Sequence, residues 1–244
     1  MTNIEFVQKI KKIATEDRTL YVSGGFGAPL NAKNKERYKN NNEYNRQPAR
    51  RACIDAATDR TFAFDCVGLV KGVLWGFDSD HTKTYGGAVY KAGGVPDVNQ
   101  EGMIKLCTDV SSKFKDIPLG SFLYLPGHCG VYIGDGLAVE CTPKWYNKVQ
   151  ITAVSNMGQK SGYNARKWTK WGKLPYIEYK TQEEPKNGLT GDFTIKVDGV
   201  KKKCHGYIQN GTTWIMLRDL AAIGVADVSW DDVEKVPVVN THDR

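Results

Sequence analysis

The sequence predicts an α+β protein, because three kinds of segment follow one another along the chain: an amphipathic N-terminal run, a second helical run opening on an aspartate–cysteine pair, and short β-like runs from residue 119 onward. The 244 residues suffice to bury a substantial core. The stretch 181–192 is polar, rich in turn formers and without apolar periodicity, so it reads as a linker. Residues 1–180 are expected to form one domain of helices followed by an antiparallel sheet, and 193–244 a small α+β module.

In MTNIEFVQKIKKIATED, Phe6, Ile10 and Ile13 share a helical face with lysines between them. This is not the apolar core of a signal peptide, and no other stretch reaches membrane-spanning length, so synthesis in the cytoplasm without membrane insertion is expected. TLYVSGGFGAPL comes next, then the basic, Asn-rich AKNKERYKNNNEYNRQPARR. Past Asp65, the residues Val67, Val70, Val73, Leu74 and Phe77 recur at spacings of three and four, with Asp65 or Phe64 in the capping position, which puts Cys66 in the first turn of a helix. LGSFLYLP, HCGVYIG, LAVECT, KVQITAV and LPYIEY then read as strands. In the last module, Asp198-Gly199 and Asn210-Gly211 read as hairpin turns, LRDLAAIG as a short helix ending at Gly224, and VSWD and KVPVV as closing strands.

Residues 1–180 carry 26 basic and 17 acidic side chains, net +9, and the remainder is −2. This balance suits a polyanionic partner such as nucleic acid or an anionic bacterial wall, or simply a soluble basic surface; with no helix-turn-helix, zinc-finger or RNP-type signature present, nucleic acid is not expected. The six cysteines form no CxxC pair and the four histidines show no ligand spacing, so neither a metal nor another cofactor is expected.

The chemistry is carried by three residues. A cysteine at a helix start meets unpaired N–H groups and the positive end of the dipole, which stabilise a thiolate. PGHCGVYIGDGLAVECTP reads as a hairpin about Gly134-Asp135-Gly136; if that loop has three residues, positions summing to 270 pair, and His128 and Glu140 become diagonal neighbours on one face. Nucleophile Cys66, base His128 and orienter Glu140 are then the parts of a thiol triad. On the opposite face the same register sets Cys129 across from Cys141, as two small core residues or as a bridge formed under oxidation. Trp168 and Trp171, among Arg166, Lys167, Lys170 and Lys173, read either as a sheet cap or as a wall-binding edge.

Asp65-Cys66-Val67-Gly68-Leu69, then Gly127-His128-Cys129-Gly130-Val131-Tyr132-Ile133-Gly134, then Glu140, resemble the NlpC/P60 peptidoglycan hydrolases. The resemblance implies a papain-like thiol hydrolase domain with Cys66, His128 and Glu140 catalytic, and with Tyr21 and Asp65 at the substrate. Val67 stands where many members have serine, and Cys129 where they have a small aliphatic residue. The basic insertion within the roughly forty residues between Gly25 and Asp65 resembles that of lysins from phages and prophages of Gram-positive bacteria, which implies action on the wall after holin-dependent release. Residues 193–239 resemble the copper amine oxidase N-terminal-like, or stalk, module of wall-associated proteins, which implies no copper. At about 50 residues that module is small for independent stability, so a second copy of the chain is named as a candidate partner through it.

The expected function is therefore hydrolysis of an amide bond in the peptidoglycan stem peptide. The alternatives are an N-acetylmuramoyl-L-alanine amidase using the same triad and a non-catalytic wall-binding protein.

Overall fold

Thr2 begins the first helix with a capping box, its hydroxyl accepting the Glu5 N–H at 3.2 Å while Glu5 Oε2 accepts the Thr2 N–H at 2.8 Å. The computed structural model describes residues 1–180, 191–197, 200–209, 212–215, 220–221, 224, 226–231 and 236–241. The chain divides into two units, Met1–Lys180 and Thr181–Arg244, and is of mixed α and β structure.

In the first unit the elements run α1 (Asn3–Thr15), β1 (Thr19–Tyr21), β2 (Phe26–Pro29), α2 (Ala32–Asn41), α3 (Glu43–Arg46), α4 (Pro48–Ala56), β3 (Phe62–Phe64) and α5 (Cys66–Leu74). They continue with α6 (Gln100–Leu106), β4 (Thr108–Ser111), β5 (Phe122–Leu125), β6 (His128–Gly134), β7 (Leu137–Thr142), β8 (Lys148–Val154), β9 (Ala165–Arg166) and β10 (Lys170–Lys173). Strands β1, β3 and β2 make a small sheet in that order. The main sheet has seven strands in the order β4-β10-β5-β6-β7-β8-β9, antiparallel throughout except for the parallel β8–β9 pair.

Alternation along the strands sends Val131, Ile133, Val139 and Val149 into one core with Phe6, Ile10, Leu69 and Val70 of α1 and α5. The opposite face buries Tyr132, Ala138 and Val154 with Trp168 and Trp171. Both tryptophans are thus packing residues, 2% and 8% exposed, in keeping with the sheet-cap reading. A third cluster, built on Val22, Leu30, Tyr38, Ile54 and Ala63, fastens α2 and α4 to the small sheet.

Two local expectations need correction. The β6–β7 register does pair Val131 with Val139 and Tyr132 with Ala138, but it shifts at Ile133, and Gly134 faces Leu137. The turn is therefore the two-residue Asp135-Gly136, with φ of 53° and 71° as a type I′ hairpin requires, and the extra residue is absorbed in a bulge. LPYIEY is not a strand of the sheet: Pro175 has no N–H to donate, Ile177 packs into the α1/α5 core, and the segment makes one bridge, Thr2 with Glu178. The strand there is KWGK, which forms β10 between β4 and β5, and Gly172 lets Cys107 and Val110 approach, a Cβ there falling 2.6 Å from that of Cys107.

In the second unit, β11 (Gly191–Val197), β12 (Val200–Gln209) and β13 (Thr212–Ile215) form an antiparallel sheet, and β14 (Ala226–Asp231) pairs with β15 (Val236–Thr241). Pairings Val197 with Val200 and Gln209 with Thr212 leave two-residue connections where hairpin turns were expected. Those turns, most of 217–224 and residues 181–190 lie outside the described residues. Among the described residues, no helix is long and apolar enough to cross a membrane.

The helix that opens on Cys66 is seated by a glycine contact. A Cβ on Gly68 would stand 1.8 Å from the Gly25 carbonyl oxygen, a backbone atom that cannot swing aside. Gly68→Ala should therefore cost about 3 kcal/mol, the upper end of overpacking penalties, read as a lower urea midpoint at unchanged slope.

Candidate active site

The nucleophile position is built from backbone outward. Asp65 caps α5, Oδ1 accepting the Gly68 N–H at 2.6 Å, and its Oδ2 accepts the Gly24 N–H at 2.7 Å. The Asp65 N–H returns a bond to the Gly25 carbonyl at 2.9 Å, so loop 22–25 and the first helical turn are laced together. Asn45, with none of its surface exposed, holds the other side of that loop: its Oδ1 accepts the Ser23 N–H at 3.1 Å and its Nδ2 donates to the Ser23 carbonyl at 2.9 Å. The Asn-rich insertion thus folds into three short helices whose amides serve as caps and clamps. Asn31 and Asn42 cap α2 and α3 in the same way, accepting from Asn34 and Asn45 N–H.

The base arrives from the sheet. Pro126-Gly127 turns β5 into β6 in two residues, Gly127 taking φ 81°, and this leaves His128 as the first residue of its strand. His128 Nε2 lies 2.7 Å from Glu140 Oε2, which assigns Nδ1 to the side of Cys66. Its ring stacks on the Trp168 indole at 5.7 Å between centroids and 13° between planes. Asn156 fixes that indole's backbone from both sides, accepting the Trp168 N–H at 2.8 Å and donating to its carbonyl at 3.0 Å.

Glu140 is completely buried, yet its carboxylate is fully engaged. Besides His128 it takes the Thr152 hydroxyl on Oε1 at 2.7 Å and Arg166 Nε on Oε2 at 2.6 Å. Burial works to raise its pKa, but His128 and Arg166 outweigh it and hold the group below the ordinary carboxylate value. His128 is likewise desolvated, and contacts with Cys66 and Glu140 still carry its pKa above the usual imidazole value.

For Cys66 the strongest influence is one the sequence did not announce. The Cys129 side chain favours its thiolate most, burial opposes, and the His128 side chain and the Cys129 backbone add to the first effect, bringing the Cys66 pKa down to about 5. Cys129 and Cys141 are themselves held far above the ordinary thiol range, in each case first by complete burial. Their thiols do not serve each other: Cys129 faces Cys66, and Cys141 donates to the Phe64 carbonyl at 3.3 Å. Both are free cysteines, as is Cys66.

The structure thus brings Cys66, His128 and Glu140 together. Tyr21 lies beside them; burial first, then the charges of Cys66 and Asp65, push its phenol well above the usual value. Its ring meets Tyr44 edge-on, and the Arg50 guanidinium donates to its carbonyl and to Asn147 Oδ1. Asp65 differs from a substrate-facing residue in that both carboxylate oxygens are taken by backbone N–H groups. Thr152 and Asn45 are not visible as site residues in the sequence, and Arg166 reads there only as part of a basic edge: each acts through a partner distant in sequence, which periodicity does not reveal. Among the described residues no group of His, Cys, Asp or Glu could hold a metal ion. No protein-family model matches this chain, and neither does any curated protein sequence.

Because the thiolate is the reactive form, alkylation of Cys66 by iodoacetamide should rise through about pH 5 and be flat by pH 7, where an ordinary thiol is still gaining towards ~8.5. Cys129→Ala and His128→Ala should each move that midpoint upward by about one unit or more. Peptide mass mapping should find Cys129 and Cys141 unmodified in the folded protein. A Cys66 midpoint near 8 in the wild type would dismiss this electrostatic account.

Proposed function

We propose that the chain is a cysteine peptidase that hydrolyses an amide bond in the stem peptide of bacterial peptidoglycan, on a papain-like plan of the NlpC/P60 type. The observation that carries this reading is the line from a helix-start thiolate to an imidazole whose far nitrogen is bonded at 2.7 Å to a buried carboxylate. The Asp-Cys-x-Gly-Leu and Gly-His-x-Gly motifs support the substrate class, and the +9 balance of residues 1–180 suits an anionic wall.

In the reaction the Cys66 thiolate attacks the amide carbonyl carbon. The developing oxyanion is met by the Cys66 N–H, which at the first helical position has no acceptor one turn back. The imidazolium gives its Nδ1 proton to the departing amine, leaving a thioester on Cys66. His128, now neutral, takes a proton from water as that water attacks the thioester, and release of the acid regenerates the thiolate–imidazolium pair. Glu140 stays ionised throughout and holds the ring's orientation. We place this activity at the wall after release from the cell that makes the protein, with 193–244 as a stalk-like accessory module.

Incubation with purified walls, followed by separation and mass measurement of the products, tests the proposal. New amino and carboxyl ends within the stem peptide are expected; release of the whole stem from muramic acid would indicate an amidase, and no product at all a wall-binding protein. Cys66→Ala should abolish hydrolysis and His128→Ala should cost about 10²–10⁴-fold in kcat. Glu140→Gln should be milder, since an amide oxygen can still accept from the ring and from Arg166.

A further inference from the structure

Arg166 shares Glu140 Oε2 with His128, the two donors lying 2.6 and 2.7 Å from one oxygen, while Oε1 is closed by Thr152. It is not a passing surface contact. The Arg166 side chain is 15% exposed and the Glu140 carboxylate 0%. The guanidinium lies 4.9 Å from the Trp145 ring and 5.8 Å from the Trp168 ring, and donates a second bond to Thr142 Oγ1 at 3.3 Å. Trp145 reaches it from a backbone with φ 64°, a conformation unfavourable to a bulky residue that the surrounding packing must maintain. Pairing of Ala153 with Ala165 and of Val154 with Arg166 across β8–β9 fixes the main chain below. Signs then alternate along the site as thiolate, imidazolium, carboxylate and guanidinium.

We propose that Arg166 is a positioning residue that acts on His128 through Glu140: by drawing on the same oxygen it fixes the carboxylate's direction and offsets its charge, so that the imidazolium is oriented without being held too tightly to release its proton. An unshared buried carboxylate at 2.7 Å would grip the imidazolium strongly, which suits orientation but slows delivery of the proton to a leaving amine. The other groups facing His128 do not substitute for this. They are Cys66 from α5 and the uncharged Trp168 ring; Thr142 and Thr152 bond Arg166 and Glu140, and Cys129, Asp65 and Tyr21 act on Cys66, adding only negative or neutral character. This inference rests on the thiol-hydrolase reading, but its test needs no wall substrate.

The experiment follows the imidazole Cε1–H of His128 by NMR across pH, among only four histidines, together with the alkylation profile of Cys66. In Arg166→Met the His128 midpoint should rise by about one pH unit or more, because a neighbouring positive charge has been removed. In Arg166→Lys, where the charge is kept, it should stay close to the wild type. Where a substrate has been identified, Arg166→Met should lower kcat more than it changes KM. An unmoved or lowered midpoint in Arg166→Met overturns the proposal. If Arg166→Met does not fold, Arg166→Gln is read by the same standard, and failure of both while Arg166→Lys folds with a displaced midpoint also overturns it. Absence of wall hydrolysis with a raised midpoint would count against the peptidoglycan reading alone.

Discussion

A carboxylate with no exposed surface, Glu140 in the middle of the main sheet, is the constraint from which much of this structure follows. An ion so placed is tolerated only when donors replace its hydration, and leaving it unpaired costs several kcal/mol. The donors come from three other strands: His128 on β6, Thr152 on β8 and Arg166 on β9. A one-residue slip of any of these strands would turn its donor to the wrong face. The same requirement that satisfies Glu140 therefore pins the register of four strands and delivers the imidazole to the sheet's end.

The thiol is held by different means. Where Glu140 is surrounded by side chains, Cys66 depends on backbone: a helix start, a cap, and a loop that reaches the helix only because Gly68 has no side chain. The Asn-rich insertion completes this half, since Asn45 presents to Ser23 the donor and acceptor that a neighbouring strand would have offered. The basic, Asn-rich insertion is thus part of the support of the nucleophile. Cys129 joins the two halves, lying on the strand that carries the base while lowering the pKa of the nucleophile.

Periodicity made much of this legible. The 3.6-residue pattern of Phe6, Ile10 and Ile13 and the run after Asp65 correspond to α1 and α5, and the alternating runs correspond to β6, β7 and β8. These are segments whose own residues decide their burial. Short pieces were not visible: β4 and β9 at the edges, and β10 between β4 and β5, have two to four residues each and form against neighbours distant in sequence. LPYIEY failed for the converse reason, its apolar residues serving the helix-side core without a partner strand. In the hairpin, pairing was readable near the site although the turn was not, because a bulge compensated for the shorter loop. The Cys129 contact escaped the same treatment, since facing across a hairpin says nothing of what a helix brings to the sheet.

The first and last residues of the N-terminal unit are fastened together. Glu178 N–H donates to the Met1 carbonyl at 3.0 Å and Asn3 N–H to the Glu178 carbonyl at 2.9 Å, while the buried Asn3 amide reaches both Leu119 and Lys180 carbonyls. Chain entering and leaving the unit does so at one point, away from any need to thread through it. Such a unit is suited to circular permutation: a short peptide joining 180 to 1 would span almost no distance, and new ends could be opened in an exposed loop such as 158–163 without disturbing the strands that carry the base. It is equally suited to being set into a surface loop of an unrelated protein, as a graft whose two junctions lie side by side.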